Sequence, residues 1–147
     1  MKLQTATRLG LYATLELARD PECTLSAAEL AERFDVSTHH LAKVLRTLAN
    51  AGLVRGGRGA AGGYRFIGNR RRVTLMDIVA LFEPAPGHRA KEPGEGTDIG
   101  GALQRVLTEI DEIAEATLRS ISLETLLKKA PLSSERSERK DPSLRSG

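Results

Sequence analysis

The pattern of apolar and polar residues predicts three helices in the first third of the chain. Over residues 5–19, apolar side chains recur every three or four positions, and Asp20-Pro21 ends the run. A second, shorter helical pattern covers residues 26–34 and a third covers residues 37–51. Two helices joined by so short a link are typical of a helix-turn-helix.

Local capping signals place the ends of these helices. Ser26 and Glu29 have the spacing of a capping box, in which each side chain accepts a hydrogen bond from the other residue's backbone. Ser37 is suited to cap the third helix, and Gly52 to stop it. Later in the chain, Thr74 is the expected cap of a fourth helix that ends before Pro84.

The period of the pattern changes after the third helix. Residues 53–55 and 64–67 are short and strand-like, with five glycines between them. A β-hairpin that follows a helix-turn-helix predicts a winged helix, with Arg58 at the tip of the wing, where it can enter a minor groove. The alternative is a glycine-rich surface loop without a role in binding.

A long helix is predicted over residues 98–121, after a loop rich in proline and glycine. An apolar stripe so far from the small core indicates pairing with a second copy of the chain, and packing against its own domain is the alternative. The candidate dimerisation residues are Leu103, Val106, Leu107, Ile110, Ile113, Ala114, Leu118 and Ile121. Ser122 is expected to cap a last short helix, and residues 131–147 have the composition of a disordered tail.

Charge and composition narrow the function. The 147 residues suffice for one domain, or for a small domain with a dimerisation element, and the low aromatic content of 3% favours an aliphatic, helical core. No acidic residue lies between Asp35 and Asp77, which is the electrostatic footprint of a protein that binds a polyanion, with double-stranded DNA the favoured one. The cations in this window are Lys43, Arg46, Arg55, Arg58, Arg65, Arg70, Arg71 and Arg72.

The outward face of the third helix carries the candidate DNA contacts. Its base-edge candidates are Thr38, His39 and His40, whose side chains can hydrogen-bond to bases. Lys43 and Arg46 on the same helix, Arg55 on the first strand and Arg58 on the wing are candidate contacts to phosphates and the minor groove. Arg8, on the first helix, either reaches a phosphate or is a solvated surface arginine.

Other function classes find little support. The single cysteine, Cys23, excludes an intramolecular disulfide and a multi-cysteine metal site, and a reducing cytoplasm is the simple interpretation. No signal peptide or membrane span is predicted, so no membrane partner is expected. No catalytic motif occurs, and an enzyme is therefore not predicted.

Several motifs resemble the Rrf2 family of bacterial winged-helix transcription regulators over about residues 1–130. The motifs are Ala51-Gly52-Leu53-Val54, Arg58-Gly59, Gly62-Gly63-Tyr64, Val73-Thr74-Leu75-Met76-Asp77-Ile78-Val79 and Phe82-Glu83. The resemblance implies a homodimer on a palindromic operator, with the third helix in the major groove and the wing in the minor groove. It places base-reading positions on Ser37, Thr38, His39 and His40, and the DNA-contacting wing motif on Arg58 and Gly59.

One property of the family is not expected here. Many Rrf2 proteins hold an iron–sulfur cluster on three cysteines between the fourth helix and the dimerisation helix. Residues 84–101 contain no cysteine, their one nitrogen ligand is His88, and Arg8 has no lone pair to donate to a metal. We therefore expect no metal or cofactor.

The sequence thus predicts a mainly α protein: a winged helix-turn-helix domain with a two-stranded β wing and a long C-terminal dimerisation helix. The predicted divisions are a DNA-binding domain (1–83), a loop that holds the cluster or effector in relatives (84–97), a dimerisation helix with a short terminal helix (98–130) and a disordered tail (131–147). The expected function is a DNA-binding regulator, with repression the favoured mode.

Regulation is left open between three interpretations: constitutive repression, an unknown small-molecule or protein effector near the dimerisation helix, and a redox signal through Cys23. The rival from another class is a protein-interaction module that uses the winged helix and the long helix as a scaffold.

Overall fold

The computed structural model describes residues 2–57, 62–84 and 90–130. In these ranges the chain forms six helices and one two-stranded sheet, which confirms the predicted mainly α class. The elements are α1 (Thr5–Arg19), α2 (Ala27–Phe34), α3 (Thr38–Asn50), β1 (Val54–Gly56), β2 (Tyr64–Phe66), α4 (Leu75–Phe82), α5 (Asp98–Ser120) and α6 (Leu123–Lys129). The predicted wing-tip residues Arg58 and Gly59, and the predicted disordered tail, lie outside the described residues.

The predicted caps begin four of these helices. The Ser26 hydroxyl accepts a hydrogen bond from the Glu29 backbone N–H (3.0 Å), and the Glu29 carboxylate accepts one from the Ser26 N–H (3.5 Å). Ser37, Thr74 and Ser122 cap α3, α4 and α6, each accepting from the N–H three residues further on. Each cap satisfies a backbone donor that the helix leaves without an internal partner, so these starts are set by local chemistry.

An aliphatic core joins α1, α2, α3, the sheet, α4 and α6. Its largest fully buried side chains, in chain order, are Leu17, Leu30, Leu41, Leu45, Leu48, Val54, Ile78, Val79 and Leu123. Two threonines of α1, Thr7 and Thr14, are also fully buried, and the Thr14 hydroxyl donates to the Gly10 carbonyl oxygen at 2.6 Å. One face of α3 therefore packs in the core, and its other face is exposed to solvent.

The wing is an antiparallel ribbon that is anchored to the loop between α1 and α2. Val54 of β1 pairs with Phe66 of β2, and both side chains are buried in the core. Leu25 exchanges two backbone hydrogen bonds with Tyr64, at 3.0 and 2.7 Å. A Cβ at Gly63 would lie 3.1 Å from the carbonyl carbon of Leu25, so glycine lets the ribbon approach this loop closely.

The long helix α5 leaves the core, whereas α6 returns to it. No residue of α5 is buried, although Leu118 near its end, and Ile121 directly after it, pack against the core. Leu123 of α6 is completely buried. The predicted division of the chain at residue 83 stays a prediction, but the core of the N-terminal part includes a side chain from α6.

Candidate nucleic-acid interface

α3 separates its side chains into a buried face and an outer polar stripe. Its buried residues are Leu41, Val44, Leu45 and Leu48. At 100° per residue, His39, Lys43 and Arg46 point almost directly away from that buried face, and all three are exposed. Thr38 and Ser37, at the start of the helix, are exposed as well, and His40 is half-buried. The structure therefore brings the predicted contacts of this helix together on its outer side and at its first turn.

The turn before α3 fixes how this helix is presented. Asp35 takes a left-handed backbone conformation (φ 55°), which aspartate adopts more readily than most residues. The Val36 N–H donates to the Ala31 carbonyl oxygen at 3.0 Å, which closes the end of α2. The Ser37 hydroxyl then accepts from the His40 N–H at 3.1 Å. These bonds end α2 and begin α3 within a turn of a few residues.

The cations of this surface are not neutralised by the described part of the chain. Two ion pairs occur there: Arg33 with Glu16 (2.7 Å) and Arg71 with Glu124 (3.4 Å). Lys43, Arg46 and Arg55 take part in neither pair. An exposed surface that keeps its positive charge attracts a polyanion such as DNA.

The ribbon carries a candidate contact that the sequence interpretation did not select. Arg65 is the direct partner of Arg55 across the two strands, and both are exposed. The sequence does contain a pattern that indicates this contact, because each three-residue strand has an arginine at its centre and a buried residue at one end. The pairing register, which sequence alone does not reveal, was needed to bring the two arginines together.

Arg8 lies on the first turns of α1 and is exposed. The start of this helix is held by Glu83, at the end of α4, whose carboxylate accepts hydrogen bonds from the Gln4 backbone N–H (3.0 Å) and the Thr7 hydroxyl (2.6 Å). Arg8 is therefore attached to a fixed helix start, and its contact with DNA stays a prediction.

The apolar stripe of α5 is largely exposed. Six large side chains between Ile99 and Ile113 are 43% to 83% exposed. They are Ile99, Leu103, Val106, Leu107, Ile110 and Ile113. Ala114, Leu118 and Ile121, which complete the predicted dimerisation set, are half-buried. The stripe is thus partly used within the chain at its C-terminal end and uncovered elsewhere.

An open groove of about 550 Å³ runs beside the N-terminal half of α5. Glu95, Gln104, Arg105, Thr108 and Glu109 contribute to its lining. Cys23 lies elsewhere, exposed in the loop between α1 and α2.

This arrangement defines a class: a winged helix-turn-helix protein whose exposed helix and ribbon are basic. Residues 3–129 match the Rrf2 family, described as iron-dependent transcriptional regulators. The chain is 50% identical over 128 residues to the HTH-type transcriptional regulator BadM of Rhodopseudomonas palustris, covering 87% of this chain and 82% of that protein.

Solved structures of two other regulators are similar to this chain over most of its length. CymR, the global cysteine regulator of Bacillus subtilis, is 30% identical with a TM-score of 0.71, over 89% of this chain and 99% of that one. IscR of T. potens is 28% identical with a TM-score of 0.70, over 89% of each chain.

The chain belongs to the Rrf2 family and is a transcriptional regulator. The resemblance deduced from its motifs is thereby confirmed, and so is the winged-helix fold. The relatives are regulators and not enzymes, which confirms that prediction too. None of the helices in the described ranges has the length and hydropathy needed to cross a bilayer.

The described part of the chain contains no set of ligands for the iron named in the family's description. The only cysteine is Cys23, and no cysteine occurs in the segment that leads from α4 to α5. In the described ranges, no three histidine, cysteine or acidic side chains lie close enough together to hold a metal ion. Since thiolates are the ligands that iron–sulfur clusters require, the residues present do not fit a cluster of the family's type.

Proposed function

We propose that the protein is a homodimer that binds a palindromic operator and represses transcription, without a family-type iron–sulfur cluster. The observation that carries this proposal is the outer stripe of α3, formed by His39, Lys43 and Arg46, on a helix whose opposite face is locked into the core. A helix with such a stripe, next to a basic ribbon, suits the major groove. Such a regulator of a bacterium works in the cytoplasm.

The proposal divides the contacts into two kinds. Thr38, His39 and His40, with the hydroxyl of Ser37, read base edges from the first turns of α3. The cations of α3 and the wing hold phosphates, or enter the minor groove in the case of Arg58 beside Gly59. Phosphate contacts position the protein and carry most of the salt dependence, while base contacts carry the sequence preference.

A dimer supplies the symmetry that a palindrome needs. The exposed part of the α5 stripe is apolar and helical in spacing, which is what a self-complementary two-fold interface requires. Two copies of α3 are then held at a fixed separation, so each reads one half-site. An effector that binds near the dimerisation helix has the open groove beside α5 available to it, whereas the Cys23 thiol lies in a different loop.

The test starts from an operator selected out of random duplexes by the purified protein. Its affinity is expected to fall with salt at a slope of about −7 in log K against log salt, for about eight neutralised phosphates per dimer at about 0.9 each. Arg46→Gln should weaken binding to the operator and to a scrambled duplex alike. His39→Ala should instead reduce the preference for the operator, by about tenfold for one lost base contact.

Lys128→Gln is the matched control, since it removes one charge from α6 and should change neither quantity. Affinity that stays flat from low to high salt would refute DNA binding. Charge reversal at Arg58 separates the regulator from the rival scaffold: the regulator loses operator binding while it remains a dimer, whereas a scaffold protein is unaffected in all its interactions.

A further inference from the structure

Two arginines face each other at the base of the wing. Arg55 of β1 and Arg65 of β2 are direct cross-strand partners. Hydrogen bonds link the pairs two positions away on either side, from the Gly57 N–H to the Gly63 carbonyl oxygen and from the Ile67 N–H to the Leu53 carbonyl oxygen, each 2.9 Å long. Because bonded and non-bonded pairs alternate in an antiparallel ribbon, the two arginines form a bonded pair with Cα atoms about 5.5 Å apart.

Both side chains leave the ribbon on the same side, away from the core. Val54 and Phe66, one position along each strand, point into the core, and side chains alternate between the two faces of a strand. Arg55 and Arg65 are accordingly exposed. Two guanidinium groups thus stand side by side in solvent at the point where the ribbon leaves the domain.

This arrangement opposes folding. Like charges directly opposite each other destabilise an antiparallel pair. Neither arginine belongs to an ion pair within the described ranges, where the two pairs involve Arg33 and Arg71. The sequence offers no acid nearby either, since none occurs between Asp35 and Asp77. Within the described ranges, both charges are therefore left without an acidic partner.

We infer that Arg55 and Arg65 together hold one phosphodiester of the DNA backbone beside the groove that the wing enters. A guanidinium presents a planar fork of N–H donors that matches phosphate oxygens, and two such forks at this separation converge on a single phosphate. The inference rests on the proposed function and adds Arg65 and the shared ligand to it. The phosphate neutralises the repulsion that the free protein retains.

The test compares Arg55→Gln, Arg65→Gln and the double variant with the wild type, on the selected operator and on a scrambled duplex. Arg119→Gln is the control, since it removes the same charge from an exposed arginine on α5, outside the acid-free window. Each single ribbon variant is expected to lose affinity roughly tenfold on both duplexes, the loss of one charge-assisted contact. The control should bind as the wild type does.

Salt dependence decides whether the phosphate is shared. With one arginine left, the phosphate is still neutralised, so each single variant should keep nearly the wild-type slope. The double variant should lower the slope by about 1.8 per dimer, one phosphate of about 0.9 for each protomer. A fall of about 1.8 in each single variant and about 3.6 in the double variant would mean two separate phosphates, and would overturn the shared site.

Stability of the free protein gives a second, independent measurement. Removing one of two repelling charges should raise the melting temperature of Arg65→Gln at low salt by about 1 °C. High salt should abolish the difference because it screens exposed charges. A variant that is more stable and yet binds DNA less tightly indicates a binding role, whereas a lower melting temperature would mean that Arg65 supports the fold and would overturn the inference.

The outcomes separate this inference from the proposed function. If the wild type binds no duplex in a salt-dependent manner, the proposed function fails. If the wild type binds with a steep salt slope and the ribbon variants behave like Arg119→Gln, only the arginine pair is refuted.

Discussion

At the scale of single residues, Glu83 performs for α1 the task that a local cap performs for the other helices. The N-cap residue of α1, Gln4, makes no capping bond with its own side chain, and the first turn has no acid. Glu83 supplies the carboxylate from the end of α4, where it accepts from the Gln4 N–H and from the buried Thr7 hydroxyl. A negative charge at a helix N-terminus is also favourable for the helix dipole. The start of α1 is thereby tied to the beginning of the loop that leads to α5.

Replacing Glu83 by alanine should destabilise the protein by about 1–3 kcal/mol, because the buried Thr7 hydroxyl then lacks its acceptor. The measurement is the free energy of unfolding in urea. Adding Thr7→Val to Glu83→Ala should recover part of the loss, since removing both partners leaves fewer polar groups unsatisfied. Glu32→Ala, an exposed acid on α2, is the control and should stay within about 0.5 kcal/mol of the wild type. Equal effects of Glu83→Ala and Glu32→Ala would argue against the role of Glu83.

At the scale of elements, the segment after α5 is fastened to the winged-helix domain. The Leu75 N–H donates to the Ile121 carbonyl oxygen, and the Leu123 N–H donates to the Val73 carbonyl oxygen, both at 2.9 Å. The Glu124 N–H reaches the Arg70 carbonyl oxygen at the same distance. With Leu123 fully buried, this connection fixes the C-terminal end of α5 relative to the domain that carries α3.

Leu123→Ala should therefore cost about 2–5 kcal/mol in unfolding free energy, the usual range for emptying a fully buried leucine site. Thermal and urea unfolding, followed by circular dichroism, measure this loss. Leu81→Ala is a suitable comparison, since Leu81 on α4 is 36% exposed and should lose well under half as much. A loss below about 1 kcal/mol for Leu123→Ala would show that α6 contributes little to the core.

The features that could be predicted from the sequence are those set by residues that lie close together in it. Ser26 with Glu29, Ser37, Thr74 and Ser122 were identified as caps because a cap acts within one helical turn. Helix periodicity is equally local, so the buried and outer faces of α3 were also predictable.

The features that could not be predicted depend on contacts between residues that lie far apart in the sequence. Glu83 and Thr7 are separated by 76 positions, and no local sequence pattern predicts their hydrogen bond. The pairing of Arg55 with Arg65 depends on the register of the ribbon, which a turn of unknown geometry sets. Leu123 belongs to a short helix whose apolar residues suit several packing sites. The site was thus predictable on α3 and incomplete on the wing.

At the scale of the whole molecule, α5 is the helix whose apolar stripe stays largely exposed in a single chain. The apolar side chains of the stripe between Ile99 and Ile113 are exposed to water. Fully burying one large apolar side chain stabilises a protein by about 1.5–3 kcal/mol. Leu118 and Ile121, at the C-terminal end, already pack on the domain. The anchored end and the uncovered remainder together indicate an interface that projects from a fixed base.

Ile110→Glu should separate the proposed dimer, because Ile110 lies at the centre of the uncovered stripe. An uncompensated charge in an apolar interface costs about 3–5 kcal/mol, so the dimer dissociation constant should rise by at least about 100-fold. Sedimentation velocity over a range of concentrations measures this change. Operator affinity should fall with it, since half-sites then bind one at a time.

Thr108→Glu introduces the same charge on the opposite side of α5, in the open groove, and should leave both the dimer and operator binding intact. The helical circular dichroism of Ile110→Glu should persist, because no residue of α5 is buried within its own chain. If Ile110→Glu sediments as a dimer at the same concentrations as Thr108→Glu, the two-fold contact lies elsewhere, and the spacing of the two α3 helices cannot be set by α5.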